Sequence, residues 1–238
     1  DVTELAKAIT GWSVAKPKDK QQGFIFRSAG HEPGNVVLLG QRFSQKGMLK
    51  GETALKYLAQ HPATQQYVCF KLARHFVADE PSPQLIDAMK QAWLKSKGHI
   101  PTVMMAMFDH YDSWFPEQQK YKTPREFLLS SLRLLGIRNV KEKSLFNWLS
   151  LLGQAPFKAG SPAGYPDKQQ DWDGASALLT RVDFSYMMAK KFKGDIKQLM
   201  QQQFGDTLSD NTWQLVSRAE SKQKAMALLL MSPEFIRR

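Results

Sequence analysis

The densest titratable cluster in the 238-residue chain is Asp109-His110-Tyr111-Asp112. Asp109 and Asp112, three positions apart, could share a helix face and offer a cation two carboxylates beside the His110 imidazole. No further ligands accompany them, and a solvated helix end accounts for the same residues. The five histidines, His31, His61, His75, His99 and His110, include no i, i+4 pair of the kind a metalloprotease helix uses. His75, set between Lys71/Arg74 and Asp79-Glu80, reads as a helix-end histidine rather than a base. Asp171 and Asp173 could divide acid and base work, but negative charge at a helix N-terminus is the simpler account. Cys69 is the single cysteine, which excludes an internal disulfide and a multi-thiolate metal site; within Tyr67-Val68-Cys69-Phe70 it reads as a small buried hydrophobe. No Gly-rich phosphate loop, Gly-x-Ser-x-Gly elbow or dinucleotide fingerprint occurs. The residues therefore assign no catalytic group, no metal and no cofactor.

Binding chemistry has a better address. Residues 153–171 lack periodicity and carry Pro156, Gly160, Pro162, Gly164 and Pro166. A connection this long inside a compact domain is usually a functional loop or an ordered strap. Phe157, Tyr165 and Trp172, with Asp167 among them, suit stacking on a sugar or gripping an extended chain, and equally suit pinning the loop onto helices. Phe157, Tyr165, Asp167 and Trp172 are the candidate binding residues.

The elements that must hold this loop are mostly helices. Val2, Leu5, Ala6, Ile9 and Trp12 follow helical spacing. Two β-like runs, Phe24-Ile25-Phe26 and Val36-Val37-Leu38-Leu39, flank Gly30, Pro33 and Gly34 and predict a hairpin or extended arm. Helical patterns then run from Gly51, through the His61-Pro62 break, from Ser82-Pro83 to Gly98, and over 100–114, closed by Phe115-Pro116. Thr123-Pro124-Arg125-Glu126 predicts a capping box. Further helices are expected over 142–152, 174–192, 196–204, 209–219 and 221–231. The fold class is mainly α: an irregular multi-helix array with a small extended or hairpin arm near the N-terminus, one domain over 1–238 or two parts, 1–152 and 174–238, joined by the loop.

Hydrophobic residues at 42% and charged residues at 23% exclude disorder. The longest apolar runs fall far short of the roughly 20 residues a membrane-spanning helix needs. The formal charge of +11 is spread evenly, with 14 Lys/Arg against 9 Asp/Glu in residues 1–110 and 19 against 13 in 111–238. Its densest groups, Lys16/Lys18/Lys20 and Lys190/Lys191/Lys193/Lys197, read as solvated faces rather than nucleic-acid contacts.

Taken in order, Leu5-Ala6-Lys7-Ala8-Ile9-Thr10-Gly11-Trp12, Leu39-Gly40-Gln41, His61-Pro62-Ala63-Thr64, Lys71-Leu72-Ala73-Arg74-His75-Phe76-Val77, Thr123-Pro124-Arg125-Glu126-Phe127, Gly153-Gln154 with Pro156-Phe157, Gly164-Tyr165-Pro166-Asp167 and Leu230-Met231-Ser232-Pro233-Glu234-Phe235 resemble the bacterial domain-of-unknown-function family 1800. The resemblance covers nearly the whole chain. It implies the C-terminal portion of a longer parent, export to the periplasm or cell surface, and a partner among other exported proteins, one of a sulfatase- or phosphatase-like family included. The chain departs from the family pattern at 109–114, where members show a Ser-Pro-Glu-Phe-like ending, and the family supplies no catalytic residues. The expectation is a non-catalytic binding or assembly module of an exported protein, with a glycan as another ligand. The alternative is a hydrolase or carbohydrate-active protein using 153–173.

Overall fold

The computed structural model describes residues 1–17, 22–114 and 120–238, so Lys18, Lys20, Phe115 and Pro116 lie outside the described residues. Among those described, twelve α-helices and two separate two-stranded antiparallel sheets make up the chain. This is the mainly α class with a small β arm that the patterning predicts. Two compact units form it: Asp1–Lys71 with Pro83–His110, and Leu72–Ser82 with Tyr111–Arg238. Residues 153–173 lie wholly in the second.

In the first unit, α1 spans Val2–Ala8, and the helical pattern stops short of Trp12 because Gly11 takes a left-handed φ of 82°. Trp12 opens β1 (Trp12–Val14) instead and pairs with Phe26 of β2 (Phe24–Phe26). Its ring rests on α2 (Met48–Ala59) at Gly51, where a Cβ would sit 2.8 Å from the indole. The second β-like run is β3 (Val36–Leu38), and it pairs not with β2 but with β4 (Gln41–Phe43). The turn between them holds Leu39 at φ 49° and Gly40 at φ 78°, the doubly left-handed geometry that closes a two-residue hairpin. Strands of three residues are too short to show alternation, which is why β1 and β4 leave no periodic signal.

Ala8, Val36, Leu38, Phe43 and Ala54 form a buried cluster that joins α1, this hairpin and α2. Asp1, the N-cap of α1, and Glu4 within it also serve the sheet: the N–H groups of Leu39 and Val37 donate to Asp1 Oδ1 at 2.8 Å and Glu4 Oε2 at 3.3 Å. An otherwise open strand edge is thereby covered. Pro62 begins α3 (Pro62–Phe76), whose residues from Leu72 belong to the second unit. Within the first unit, α4 (Pro83–Ser96) and α5 (Ile100–Phe108) pack together, and Leu85, Ile86, Met89, Trp93, Val103 and Met107 are buried. The helix expected over 100–114 is shorter, ending at Phe108, with a 3-10 turn at Tyr111–Ser113. Cys69 is fully buried, and that burial pushes its thiol up to about 11.

The second unit adds α6 (Pro124–Leu134), α7 (Glu142–Leu151), α8 (Ala175–Ala189), α9 (Ile196–Gln203), α10 (Asp210–Ser217), α11 (Lys222–Leu230) and α12 (Pro233–Ile236). The capping box is present: Glu126 N–H donates to Thr123 Oγ1 at 3.4 Å, and Thr123 N–H donates back to Glu126 Oε2 at 2.9 Å. The helices converge on Phe127, Leu128, Phe184, Met188, Met226, Leu229 and Phe235. Phe127 makes an edge contact with Phe235 at 5.9 Å between ring centroids. Glu234 has a separate task, accepting from Ser209 N–H at 3.0 Å, Ser209 Oγ at 2.7 Å and Thr212 Oγ1 at 3.0 Å, so that α12 caps α10. One short motif thus supplies a core aromatic and a cap for another helix.

The last residues meet the segment before α6, residues 120–122, through an isolated antiparallel bridge between Tyr121 and Arg237. Lys122 N–H donates to Ile236 O at 2.9 Å, and Arg238 N–H to Lys120 O at 2.8 Å. Beneath this pairing Arg181 is only 2% exposed, with its guanidinium over the rings of Tyr121 at 4.5 Å and Phe127 at 4.9 Å. Lys122 donates to Phe235 O and lies 4.2 Å over the Phe235 ring; burial pulls its ammonium down to about 8.

Candidate functional site

The loop begins where α7 ends. Gln154 N–H donates to Leu149 O at 2.8 Å, turning the chain out of the helix, and Gln154 Oε1 accepts from Arg125 N–H at 2.8 Å in the first turn of α6. One glutamine therefore closes one helix and helps cap another.

Two of the aromatic candidates face inward. Trp172 is 7% exposed and donates Nε1–H to Pro166 O at 3.1 Å, while Tyr165 donates its hydroxyl to Ala155 O at 2.7 Å. Their rings lie 6.2 Å apart. Each bond ties the loop to itself, so both side chains act as pins, and their polar tips are already satisfied. Phe157 is the opposite. It is fully exposed, and its backbone holds a φ of 59°, a left-handed conformation that an aromatic residue adopts at a cost.

Asp167 enters a network of charges that fastens the loop to the turn after α3. Arg74 lies 3.6 Å from Asp167 Oδ1 and 3.8 Å from Glu80, and its Nε–H donates to Asp79 O at 3.0 Å. Lys168 pairs with Glu80 at 2.6 Å. Lys120, only 4% exposed, pairs with the Asp79 carboxylate and donates to Asp167 O at 3.1 Å. The other Asp79 oxygen accepts from Gln169 N–H at 2.6 Å. Three cations meet three carboxylates, so the network is neutral in itself and its buried members are compensated. The hydrogen bond and charge of Lys168 hold the Glu80 carboxyl below its ordinary value.

The remaining acids of the loop are also engaged. Asp171 Oδ2 accepts from Lys168 N–H at 3.3 Å, and Asp173 Oδ2 from Gln169 Nε2 at 2.8 Å. His75 is lowered from its ordinary value, first by burial and then by the Arg238 cation, whose Nη2 donates to the His75 carbonyl at 2.8 Å. Asp112 accepts from the Ser82 hydroxyl. Among the described residues no group of three or more His, Cys, Asp or Glu could hold a metal ion, and no helix is long and apolar enough to cross a membrane. Of the basic groups, Lys191 lies 5.3 Å over the Trp148 ring.

The structure thus brings Tyr165, Asp167 and Trp172 together with Arg74, Asp79, Glu80, Lys120, Lys168 and Gln169, and leaves Phe157 apart in solvent. Those six anchoring residues were not among the sequence candidates, because spacing relates neighbours in a chain and Asp79 meets a residue 90 positions away. A signal did exist. Arg74 and Asp167 both sit in the short motifs that carry the resemblance.

A match to the family described as Protein of unknown function (DUF1800) extends over residues 1–237, and the chain belongs to that family. No curated protein and no solved structure matches it.

Proposed function

We propose that the chain is a non-catalytic binding or assembly module that associates with another exported protein, with Phe157 as the contact residue. One observation carries this reading: a fully exposed aromatic side chain in a strained left-handed backbone, on a loop whose other aromatics and acids are committed to holding it. Strain and exposure both oppose folding, and a surface aromatic on a rigid mount has the properties of an interface anchor, which needs little ordering on contact. The occupant is a protein with an apolar pocket wide enough for a phenyl ring. A partner in the periplasm or at the cell surface, of the sulfatase- or phosphatase-like kind that the family resemblance implies, fits this reading. The hydrolase alternative draws no such support, because Asp167, Asp171 and Asp173 all have partners within the loop or network.

The test is capture of partners from a native envelope fraction by the tagged chain and by a Phe157→Ser variant, with a salt wash before mass spectrometry. A stoichiometric protein retained by the parent and lost with the variant supports the proposal. Equal retention by both, or no retained protein, overturns it.

A further inference from the structure

A second feature, in the first unit and independent of Phe157, is a cavity of about 480 Å³ between β2 and the start of α2. Phe26, His31, Ser44, Gln45, Lys46 and Lys50 are among its lining residues, and no Asp or Glu is. Its size is in the usual range for a small-molecule site.

Lys50 is the reason to read it as one. It is the third residue of α2 and only 2% exposed. Among the described residues its ammonium makes a single hydrogen bond, to Glu32 O at 3.0 Å, and has no carboxylate partner. An ammonium carries three N–H donors, and a buried cation without a counter-ion is unfavourable in a folded chain. The helix end adds to the same field. Gly47, the N-cap, has no side chain to satisfy the first turn, and both Gly47 and Lys50 line the cavity, so the positive end of the helix opens on it. Lys46 adds another cation at the rim.

The lining also carries acceptors. His31 donates Nδ1–H to Thr10 O at 2.9 Å, which makes Nε2 the ring nitrogen available to accept. Among the described residues, that Nε2 is buried without a hydrogen-bond partner, and so is Gln45 Oε1. Two unsatisfied acceptors call for ligand hydroxyls. Phe26, whose ring meets His31 edge-on at 5.4 Å, supplies an apolar face.

We propose that this cavity binds a hydroxylated ring bearing an oxyanion, of the sugar-phosphate or sugar-acid class. The oxyanion pairs with Lys50 and the first turn of α2, and ring hydroxyls donate to His31 Nε2 and Gln45 Oε1. Charge and ring are both required, because either alone leaves part of the lining unsatisfied.

The test is calorimetric titration of the full chain with glucose 6-phosphate, glucuronate, glucose and inorganic phosphate at matched ionic strength. Glucose 6-phosphate or glucuronate should bind at least tenfold more tightly than inorganic phosphate, and glucose should not bind detectably. Lys50→Met should weaken the anionic sugar at least tenfold. Ser44→Trp, which blocks the cavity while leaving Lys50 in place, should do the same, so the proposal stays open to test if Lys50→Met does not fold. Unchanged affinity in a folded variant, inorganic phosphate matching both anionic sugars, or no binding of either sugar, overturns the proposal.

Discussion

Asp79 Oδ2 accepts the backbone N–H of Gln169 at 2.6 Å while its other oxygen pairs with the buried Lys120 ammonium, so a single carboxylate fixes both the loop and the segment before α6. Removing it with Asp79→Ala strands a cation that is almost out of solvent. Breaking a buried pair in this way costs about 3–5 kcal/mol. Denaturant unfolding should show a loss of that order, with Asp79→Asn in between because the amide oxygen can still accept. A loss below about 1 kcal/mol would mean that water takes over the role of the carboxylate.

Phe157 should be nearly neutral for stability. Glycine at this position relieves a left-handed cost of about 1–2 kcal/mol and brings back an entropy cost of about 0.5–1 kcal/mol. The Tm of Phe157→Gly is therefore expected within a few degrees of the parent, whereas Phe157→Val, β-branched and less tolerant of positive φ, should lower it. Equal Tm values for the two variants would count against the strained geometry.

Lys122 gives a pH signature. With its ammonium at about 8 in the fold against an ordinary 10.5, the native chain binds fewer protons than the unfolded one between those values. Its penalty is complete below pH 8 and is relieved as pH rises toward 10.5, so this group adds stability with rising pH. Relative to the parent, Lys122→Met should be most stabilised below pH 8, and its advantage should shrink across that window. A difference that stays constant with pH would place the ammonium in water.

Cys69 should be silent in the native chain. A fully buried thiol raised to about 11 offers neither access nor thiolate at pH 8. Ellman's reagent is expected to find one reactive sulfur only after denaturant is added. Rapid labelling of the folded protein would mean that the packing around Cys69 opens locally.

Much of the scaffold was legible because its signals are local. Thr123 and Glu126 stand three apart and form the box their spacing predicts. Pro62 and Pro83 begin helices, and Leu128, Leu132, Met226 and Leu230 are buried in the core of the second unit. The hairpins were half legible: β2 and β3 are apolar runs, but their partners, Trp12-Ser13-Val14 and Gln41-Arg42-Phe43, are too short and too polar to register as strands.

The loop shows where locality ends. Its lack of periodicity marked the segment, and its aromatics marked the residues, yet nothing in the order Phe157, Tyr165, Trp172 says which two turn inward. That is decided by the carbonyls of Ala155 and Pro166, and by Asp79 far away in sequence. Lys50 was missed for a similar reason. In the sequence it is one lysine among many, and only the fold removes it from solvent.

The order in which such contacts can form has a further consequence. The bonds from Gln154 to α6, from Asp79 to Gln169, and from Lys120 to both Asp79 and the chain end all join segments far apart in sequence. Pairings of this kind must wait for chain closure, so the loop is expected to be among the last parts of the second unit to settle. Under the proposed function, a partner that grips Phe157 in its left-handed turn would thereby read maturity, passing over nascent or misassembled chains and engaging only those whose folding is finished.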